Sequence, residues 1–337
     1  MGYCRHGLLP PWVTAALFKG DFRCYGVCSL CDGWAHMMYS ETMRLVITAV
    51  AFCCLGSTGC WDSRVGDCTD EVGFVALAMT QGWIAPGVYD ESAGAVEWSP
   101  TGNIPENECF TPFETGVYDP TAGGVVWRPV GYEGHSEQRL RFSLGLYDPD
   151  NADVQWRDSR YDNDDDPFPV FETGVYDPDA SGIVWKQAYF QNTDDPFPVF
   201  ETGVYDPDTA GVVWKQAHFQ NTDDPFPVFE TGVYDPDAPG VMWKQARYDN
   251  DDDPFPVFET GVFDWNLGAV EWKWATYNGE EARFPEFEVG VYNHTLDAVE
   301  WESAVYDPNA HTLTIPFGVY NPVAGSVEWR RLETRLE

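Results

Sequence analysis

Hydrophobic and polar residues alternate in short stretches along most of the chain after residue 87. In the stretch 200–206, Phe200, Thr202 and Val204 fall on one face of an extended chain, and the residues between them fall on the other face. The stretch 212–219 is rich in β-branched and aromatic residues, which favour strands. The pattern therefore predicts two β-strands in this part of the chain, and it contains no helical period.

The segment between these two strands has the composition of a tight turn. Asp206 and Pro207 suit the first two positions of a type I turn, and Gly211 can adopt a left-handed conformation before the second strand. A polar loop follows at 220–224, and then an extended arm at 225–229, whose prolines cannot donate to a β-ladder. This unit is therefore predicted to be a β-hairpin followed by a Pro-bounded arm.

The unit recurs with a period of 29 residues, which shortens to 28 once near the end. Each copy begins with Gly-Val-Tyr-Asp or a variant of it, at Gly87, Gly116, Gly145, Gly174, Gly203, Gly232, Gly261, Gly290 and Gly318. A tryptophan stands eleven residues after each glycine, and we interpret these tryptophans as the core of the repeat: Trp98, Trp127, Trp156, Trp185, Trp214, Trp243, Trp272, Trp301 and Trp329. A fixed offset of this kind is typical of stacked repeats, because every copy must present the same surface to its neighbours.

An isolated hairpin of this size is marginally stable in water, so the units are expected to stack on one another. Two architectures allow this, an open solenoid and a closed β-propeller. Propeller blades usually need four strands and about 40 residues, whereas this unit supplies two good strands in 29 residues. The sequence therefore favours an all-β open solenoid or stacked-hairpin array of nine units. In outline, the Gly-aromatic-x-Asp…Gly-Val-Val hairpin resembles the bacterial WG-type β-repeats.

The balance of charge restricts the partners of the chain. Lys and Arg number 19 against 55 Asp and Glu, which gives a formal net charge of −36. Such a surface repels phosphate backbones and anionic membranes, so nucleic acid is excluded as a partner and a membrane is expected only through a lipid anchor. Cations, neutral polysaccharides and other surface proteins remain as expected partners.

The first 60 residues follow different rules from the rest of the chain, and they hold seven of the nine cysteines. Met43 and Arg44 precede an apolar run at 45–55, which small residues and Cys60 follow. These are the three parts of a secretory signal peptide. Residues 43–60 resemble the signal peptide and lipobox of bacterial lipoproteins, although Ser57 stands where leucine is usual. The resemblance implies export to the cell envelope or cell surface and lipid attachment at Cys60. The alternative is a short buried helix or strand.

The sequence therefore predicts four segments. Residues 1–42 are upstream sequence of doubtful structure, which a misplaced start codon would explain, and 43–60 are the signal peptide. Residues 61–86 form an N-terminal cap or linker, and 87–337 form the repeat domain. Two further cysteines, Cys68 and Cys109, are expected to form a disulfide if the protein is exported and to be buried thiols otherwise.

Acidic clusters recur in the loops before each Pro-Phe-Pro, where neighbouring units bring like charges close together. Calcium takes six to eight oxygen ligands in irregular geometry, so these loops are candidate Ca²⁺ sites that stiffen the array. The alternative is that they are solvated loops that keep an aromatic-rich protein soluble. The candidate ligands are Asp164, Asp165, Asp166, Asp194, Asp195, Asp223, Asp224, Asp251, Asp252 and Asp253.

The repeated tryptophans have a second interpretation as an exposed platform on which sugar rings stack. Motifs of enzymes are missing, since the sequence contains no Gly-x-Ser-x-Gly, His-Glu-x-x-His or phosphate loop. An active site is also normally unique, and here the acidic groups recur. We therefore predict a non-catalytic, exported surface protein with a structural or adhesive role. The alternatives are a carbohydrate-binding module that uses the Trp/Tyr ladder and a subunit of a self-assembling extracellular fibre.

Overall fold

The computed structural model of the protein describes residues 68–105, 108–133, 139–163, 165–221, 223–238, 240–250, 252–279 and 282–336. The upstream segment 1–42 and the signal-peptide segment 43–60, with Cys60, lie outside the described residues. What the sequence predicts for those two segments therefore stays a prediction.

The described residues contain one helix, α1, which spans Cys68–Thr80. The strands are β1 (Gly87–Asp90), β2 (Ala95–Trp98), β3 (Phe113–Asp119), β4 (Gly124–Glu133), β5 (Arg139–Arg141), β6 (Ser143–Asp148), β7 (Asp153–Asp158), β8 (Glu172–Asp177), β9 (Gly182–Gln187), β10 (Glu201–Asp206), β11 (Gly211–Gln216), β12 (Glu230–Tyr234), β13 (Val241–Gln245), β14 (Glu259–Asp264), β15 (Ala269–Trp274), β16 (Phe287–Asn293), β17 (Ala298–Asp307), β18 (Thr312–Asn321) and β19 (Ser326–Arg335).

Over the described residues, the strands pair into nine antiparallel hairpins, which we number in chain order: β1–β2, β3–β4, β6–β7, β8–β9, β10–β11, β12–β13, β14–β15, β16–β17 and β18–β19. The short strand β5 adds to β4, and β17 also pairs with the start of β18. The predicted all-β tandem array of stacked hairpins is confirmed.

The register of the hairpins explains the offset of eleven residues between glycine and tryptophan. In hairpin 5, Gly203 lies directly opposite Trp214, and the same pairing occurs in the other hairpins. The indole folds back over the glycine. A Cβ atom on any of the nine glycines would lie 2.4–2.7 Å from the ring atoms of its own tryptophan. Only glycine therefore leaves room for the indole at this position.

The hairpins stack through their first strands, each of which contacts the first strand of the next hairpin. The two ends of the stack are also in contact, because β1 and β2 of hairpin 1 lie beside β18 of hairpin 9. The Arg330 guanidinium lies 5.0 Å from the centre of the Trp98 ring. Phe110 forms a β-bridge with Thr334, and the Arg335 amide donates to the Cys109 carbonyl at 2.5 Å. The repeat spacing alone does not indicate this contact between the ends.

The helix α1 lies in the segment 61–86 that the sequence predicts as a cap or linker, and hairpins from different parts of the stack surround it. Its residues 72–78 are buried. The Phe74 ring lies 4.6 Å from Phe142 and 4.9 Å from Phe171, measured between ring centres. A Cβ atom on Gly73 would collide with Phe255. A helix that is apolar on all sides needs burial of this kind.

The Pro-bounded arms fold towards α1 and supply most of the core. In the arm before hairpin 5, Phe197 and Phe200 are fully buried, and Val199 exchanges backbone hydrogen bonds with Tyr189. Equivalent phenylalanines of successive arms stack with ring centres 4.3–4.6 Å apart along one line: Phe168, Phe197, Phe226, Phe255 and Phe284. The arms therefore cover the inner side of the hairpins, where their proline residues take no part in the ladder.

An aspartate or asparagine at the start of each turn fixes its conformation. Asp206 accepts a hydrogen bond from the amide of Asp208 at 2.9 Å through its own side chain, the arrangement of an Asx turn. The left-handed residue lies four positions after the aspartate. In hairpin 5 this residue is Ala210, with φ of 53°, whereas the sequence analysis placed it at Gly211, so that detail is wrong.

The residue in this left-handed position yields a prediction about stability. Replacing Ala210 with glycine is expected to stabilise the protein by about 0.5–1 kcal/mol, because a Cβ atom strains the left-handed conformation. The reverse change Gly123→Ala, at the same position of hairpin 2 with φ of 71°, is expected to destabilise by a similar amount. Thermal melting of both variants checks the sign, and a lower melting temperature for Ala210→Gly would contradict this account of the turn.

Candidate functional site

The repeated surface between hairpins is the first candidate site, because it contains the tryptophans that the sequence singles out. Each Trp lies against its own glycine on one face. On the other face a cation of the preceding hairpin approaches, as Lys186 does over Trp214 at 5.7 Å and Arg157 over Trp185 at 4.9 Å. Among the described residues, seven of the nine repeat tryptophans have such a cation partner. The indoles are therefore sandwiched between neighbouring hairpins.

The same cation also pairs with a carboxylate of the next hairpin. The Lys186 ammonium lies 3.6 Å from Glu201, and the Lys244 ammonium lies 3.4 Å from Glu259. Ion pairs with this exposure contribute little on their own. Each cation, however, holds a Trp ring and a Glu together on the neighbouring hairpin, which fixes the register between the two.

A second line of polar contacts runs along the turns. The Tyr205 hydroxyl donates to Asp179 of the preceding turn at 2.5 Å, and Tyr176 donates to Asp150 at 2.9 Å. The hydrogen bond to Asp179 raises the pKa of Tyr205 to about 12. In three Asp-Pro-Asp turns the second aspartate, Asp150, Asp179 or Asp208, thus binds the next hairpin, while the first aspartate caps its own turn.

The structure divides the aromatic residues into two groups. The repeat tryptophans, Trp98, Trp127, Trp156, Trp185, Trp214, Trp243, Trp272, Trp301 and Trp329, are all half-buried and lie between hairpins. The fully buried rings belong to the phenylalanines of the arms, to Phe74 and to Phe110. The inner core is therefore built from phenylalanine, and tryptophan forms the contacts between copies.

In each acidic loop, one aspartate accepts hydrogen bonds from an asparagine of the same loop. Asp195 accepts hydrogen bonds from the amide and side chain of Asn192, at 2.8 Å and 3.1 Å, and Asp166, Asp224 and Asp253 do the same in their loops. Asp165, Asp194, Asp223 and Asp252 lie beside them, whereas Asp164 and Asp251 lie outside the described residues. Over the residues that the structure describes, no group of three or more potential metal ligands comes together.

A buried acidic cluster on α1 is a feature that the sequence analysis missed. Glu71 accepts a hydrogen bond from the Tyr132 hydroxyl of β4. Glu108 lies close enough for its negative charge to raise the pKa of both groups. Although Glu71 keeps some accessible surface, its carboxyl group is enclosed, and burial raises its pKa to about 7. The negative charge of Glu108 raises the pKa of Glu71 further, and the hydrogen bond from Tyr132 lowers it by less than burial raises it.

This cluster predicts a pH dependence of stability. The pKa of Glu71 in the folded protein lies above the ordinary value of 4.5. The stability that the protonated Glu71 carboxyl contributes is therefore fully present below pH 4.5 and is lost as the pH rises through 7. The loss is on the order of 2–3 kcal/mol. Denaturant unfolding of the protein and of Glu71→Gln at several pH values checks this. The variant is expected to lack this loss and to be the more stable of the two at pH 8, and equal slopes against pH would contradict it.

Cys68 and Cys109 form a disulfide with Cα atoms 5.3 Å apart. Both cysteines are buried. The bond joins the first residue of α1 to the segment before hairpin 2, next to the acidic cluster. Of the two alternatives left open for these cysteines, the structure has the disulfide.

A cleft of about 300 Å³ lies beside the end of α1, between the first strands of hairpins 3, 4 and 5. Gln81, Trp83 and Trp185 line it, together with the backbone of Gly174. A Cβ atom on Gly174 would lie 2.6 Å from the Trp185 ring, and the Arg157 guanidinium lies 4.9 Å from the centre of that ring.

Within the part of the chain that the structure describes, no helix has the length and apolar character needed to cross a membrane. Comparison of the chain with known protein families, with curated proteins and with solved structures gives no match. The function must therefore be inferred from the geometry of the hairpin stack itself.

Proposed function

We propose that this chain is a non-catalytic, exported surface protein whose hairpin stack serves as a structural or adhesive scaffold. The observation that carries the proposal is the repeated use of one contact: at five junctions between described hairpins, a cation of one hairpin covers the Trp of the next hairpin and pairs with its Glu. Seven of the fourteen Lys and Arg residues of the repeat domain lie over a repeat tryptophan of a neighbouring hairpin. Contacts repeated in this way are typical of a rigid scaffold rather than of a protein with a single reactive site.

The disulfide between Cys68 and Cys109 supports export, because disulfides persist mainly in oxidising compartments. N-terminal sequencing and intact mass of the protein purified from its native host test this part of the proposal. We expect a mature chain that starts at Cys60 and carries the added mass of a lipid. A mature chain that retains residues 1–42 would contradict it.

Recognition of polysaccharide by the repeated Trp/Tyr ladder is less well supported. Stacking on a sugar needs one open face of the indole, and in hairpin 5 the two faces of Trp214 lie against Gly203 and Lys186. We therefore expect no binding of the full chain on a glycan array. Binding that is lost in a folded Trp214→Ala variant would favour the carbohydrate-binding alternative instead.

Calcium binding by the acidic loops is predicted from the sequence and stays a prediction. In such a site, the paired aspartates of neighbouring loops share one Ca²⁺ ion. Melting in excess calcium and in excess chelator tests it. A site at tens of dissociation constants of ligand adds roughly 2 kcal/mol, so we expect a clear rise in melting temperature. A change below about 2 °C, the lower end of the shift that 1 kcal/mol produces, would remove calcium from the account.

The contact between hairpins 1 and 9 bears on the fibre alternative. A fibre that grows by stacking hairpins end to end needs both ends of each subunit, and here the two ends bind each other. We therefore expect no filaments in electron micrographs of concentrated protein, and filaments that lengthen with concentration would favour the fibre.

A further inference from the structure

The loop between hairpins 7 and 8 differs from the loops that precede it in the stack. Between hairpins 6 and 7, Asn250 donates to Asp253 through its backbone amide at 2.9 Å and its side-chain amide at 3.3 Å. One repeat later, Gly279 and Ala282 stand at these two positions. The backbone hydrogen bond from Ala282 to Gly279 remains at 3.3 Å, but neither residue has a polar side chain. This loop has therefore lost the side-chain hydrogen bonds that fix its neighbours.

The same loop contains the one Asn-Gly pair of the sequence, Asn278-Gly279. Every other asparagine of the chain precedes a residue with a side chain, which hinders attack of the following backbone nitrogen on the asparagine amide. Both residues of the pair are exposed to solvent, and Gly279 has φ of 105°. An exposed asparagine before a glycine is the arrangement in which the backbone attacks an asparagine side chain most readily, because glycine is unhindered and conformationally permissive.

The side chain of Asn278 is held weakly. Its Nδ2 atom lies 3.4 Å and 3.5 Å from the two carboxylate oxygens of Glu286, which is long for a hydrogen bond. Asn192, in the loop between hairpins 4 and 5, donates to Asp195 through its backbone amide at 2.8 Å and its side-chain amide at 3.1 Å. The Asn278 side chain can therefore leave Glu286 and turn towards its own backbone at little cost.

We propose that Asn278 is a site of spontaneous modification, at which the backbone nitrogen of Gly279 converts the asparagine to aspartate or isoaspartate. The nitrogen loses its proton and bonds to Cγ of Asn278, the bond from Cγ to Nδ2 breaks, and the Nδ2 group leaves as ammonia with that proton. Water then opens the cyclic imide at either of its carbonyls. One water is consumed and one ammonia is released, and nothing is oxidised or reduced. The proposal does not depend on the proposed export or adhesive role.

The modification reverses the contact between Asn278 and Glu286, because an amide that donates becomes a carboxylate that only accepts. In the loop between hairpins 6 and 7, Asp249 stands at the position of Asn278, and Arg247 pairs with it at 3.0 Å. Thr276 stands at the position of this arginine. Thr276 and Glu286 also exchange the two backbone hydrogen bonds that hold the arm before hairpin 8. Repulsion between the new carboxylate and Glu286 is therefore expected to loosen this arm.

Peptide mass mapping of the full chain, aged in mildly alkaline buffer, tests the modification. We expect a gain of about 1 Da in the peptide that contains Asn278, at least about tenfold faster than at Asn192. Gly279→Ala is expected to slow the gain at least about tenfold, because the added methyl group hinders attack by the nitrogen. This Cβ atom would meet nothing within 4 Å. No gain of mass at Asn278, or an equal rate in Gly279→Ala, would overturn the proposal.

Asn278→Gln is the matched control, since Gln191 and Gln220 stand at the equivalent positions of two other loops. It keeps the amide and should gain no mass, because a larger ring would have to close. Hydrogen exchange of the aged full chain tests the effect on the arm. We expect the amides of Thr276 and Glu286 to exchange at least about twofold faster than in aged Asn278→Gln. Equal exchange in the modified chain and this control would overturn the loosening of the arm.

Discussion

Replacing Phe74 with alanine is expected to lower the free energy of unfolding by about 3–5 kcal/mol, the range for a phenylalanine removed from a packed core. Phe74 is fully buried on α1 and contacts arms and loops of several hairpins, with Phe142, Phe168 and Phe171 within 4.6–5.2 Å between ring centres. The cavity left by the ring cannot close, because the surrounding phenylalanines are held by their own neighbours along the stack.

Urea unfolding followed by tryptophan fluorescence measures this loss. Phe190→Ala is the matched control, because Phe190 is half-buried and lies at the edge of the same core. We expect a loss below about 1.5 kcal/mol for this variant. Equal losses for the two variants would mean that α1 does not organise the core.

The second large effect is expected at the glycine–tryptophan pair of a central hairpin. Trp214→Ala should cost about 3 kcal/mol, because it removes the contact with Gly203 and with Lys186 of the preceding hairpin. Gly203→Ala should cost about 1–3 kcal/mol, because its Cβ atom would lie 2.6 Å from the Trp214 ring and displace it. The double variant should cost no more than Trp214→Ala alone, since the collision disappears with the ring.

Gly211→Ala is the control for this cycle. Gly211 lies in the same hairpin, and a Cβ atom there would meet nothing closer than 4.0 Å. We expect a change within about 0.5 kcal/mol for this control. Additive losses in the Gly203/Trp214 double variant would show that the two residues act independently and that the register argument is wrong.

The repeated part of the fold could be predicted from the sequence because its determinants are local. Alternation of side chains predicts the strands, and the Asp-Pro turn chemistry predicts the hairpin connections. The constant offset of eleven residues between Gly203 and Trp214, which recurs in every copy, indicates that the two residues pair across the strands. The burial of the two aromatic types was harder to judge, because Phe197 and Trp214 are equally hydrophobic and only the path of the arm decides which lies deeper.

The non-local features could not be predicted in the same way. α1 occupies one segment that does not repeat, and its apolar run at 72–79 can be a strand or a helix until its surroundings are known. The contact between Arg330 and Trp98 joins residues far apart in the chain, and no short pattern reports it. The Glu71 cluster forms only where α1 contacts β4, and the sequence does not predict this contact.

The candidate site shows the same division. Lys186 and Glu201 could have been found from the sequence, since a Lys follows each Trp of the central repeats and a Glu opens each next hairpin. Their pairing across hairpins depends on how the copies stack. The sequence predicts the acidic loops as candidate Ca²⁺ ligands, and this stays a prediction. The hydrogen bond between Asn192 and Asp195 depends on the conformation of their loop, which the charge pattern does not report.

A peptide of one central repeat, residues 196–224, tests most directly whether the hairpins depend on their neighbours. It contains one arm and the whole of hairpin 5 with its own Gly203–Trp214 pair. Circular dichroism of the dilute peptide between about 5 and 60 °C is predicted to show no cooperative transition, because the hairpin has lost every contact with adjoining copies and with α1. A cooperative melt that does not depend on concentration would contradict the account.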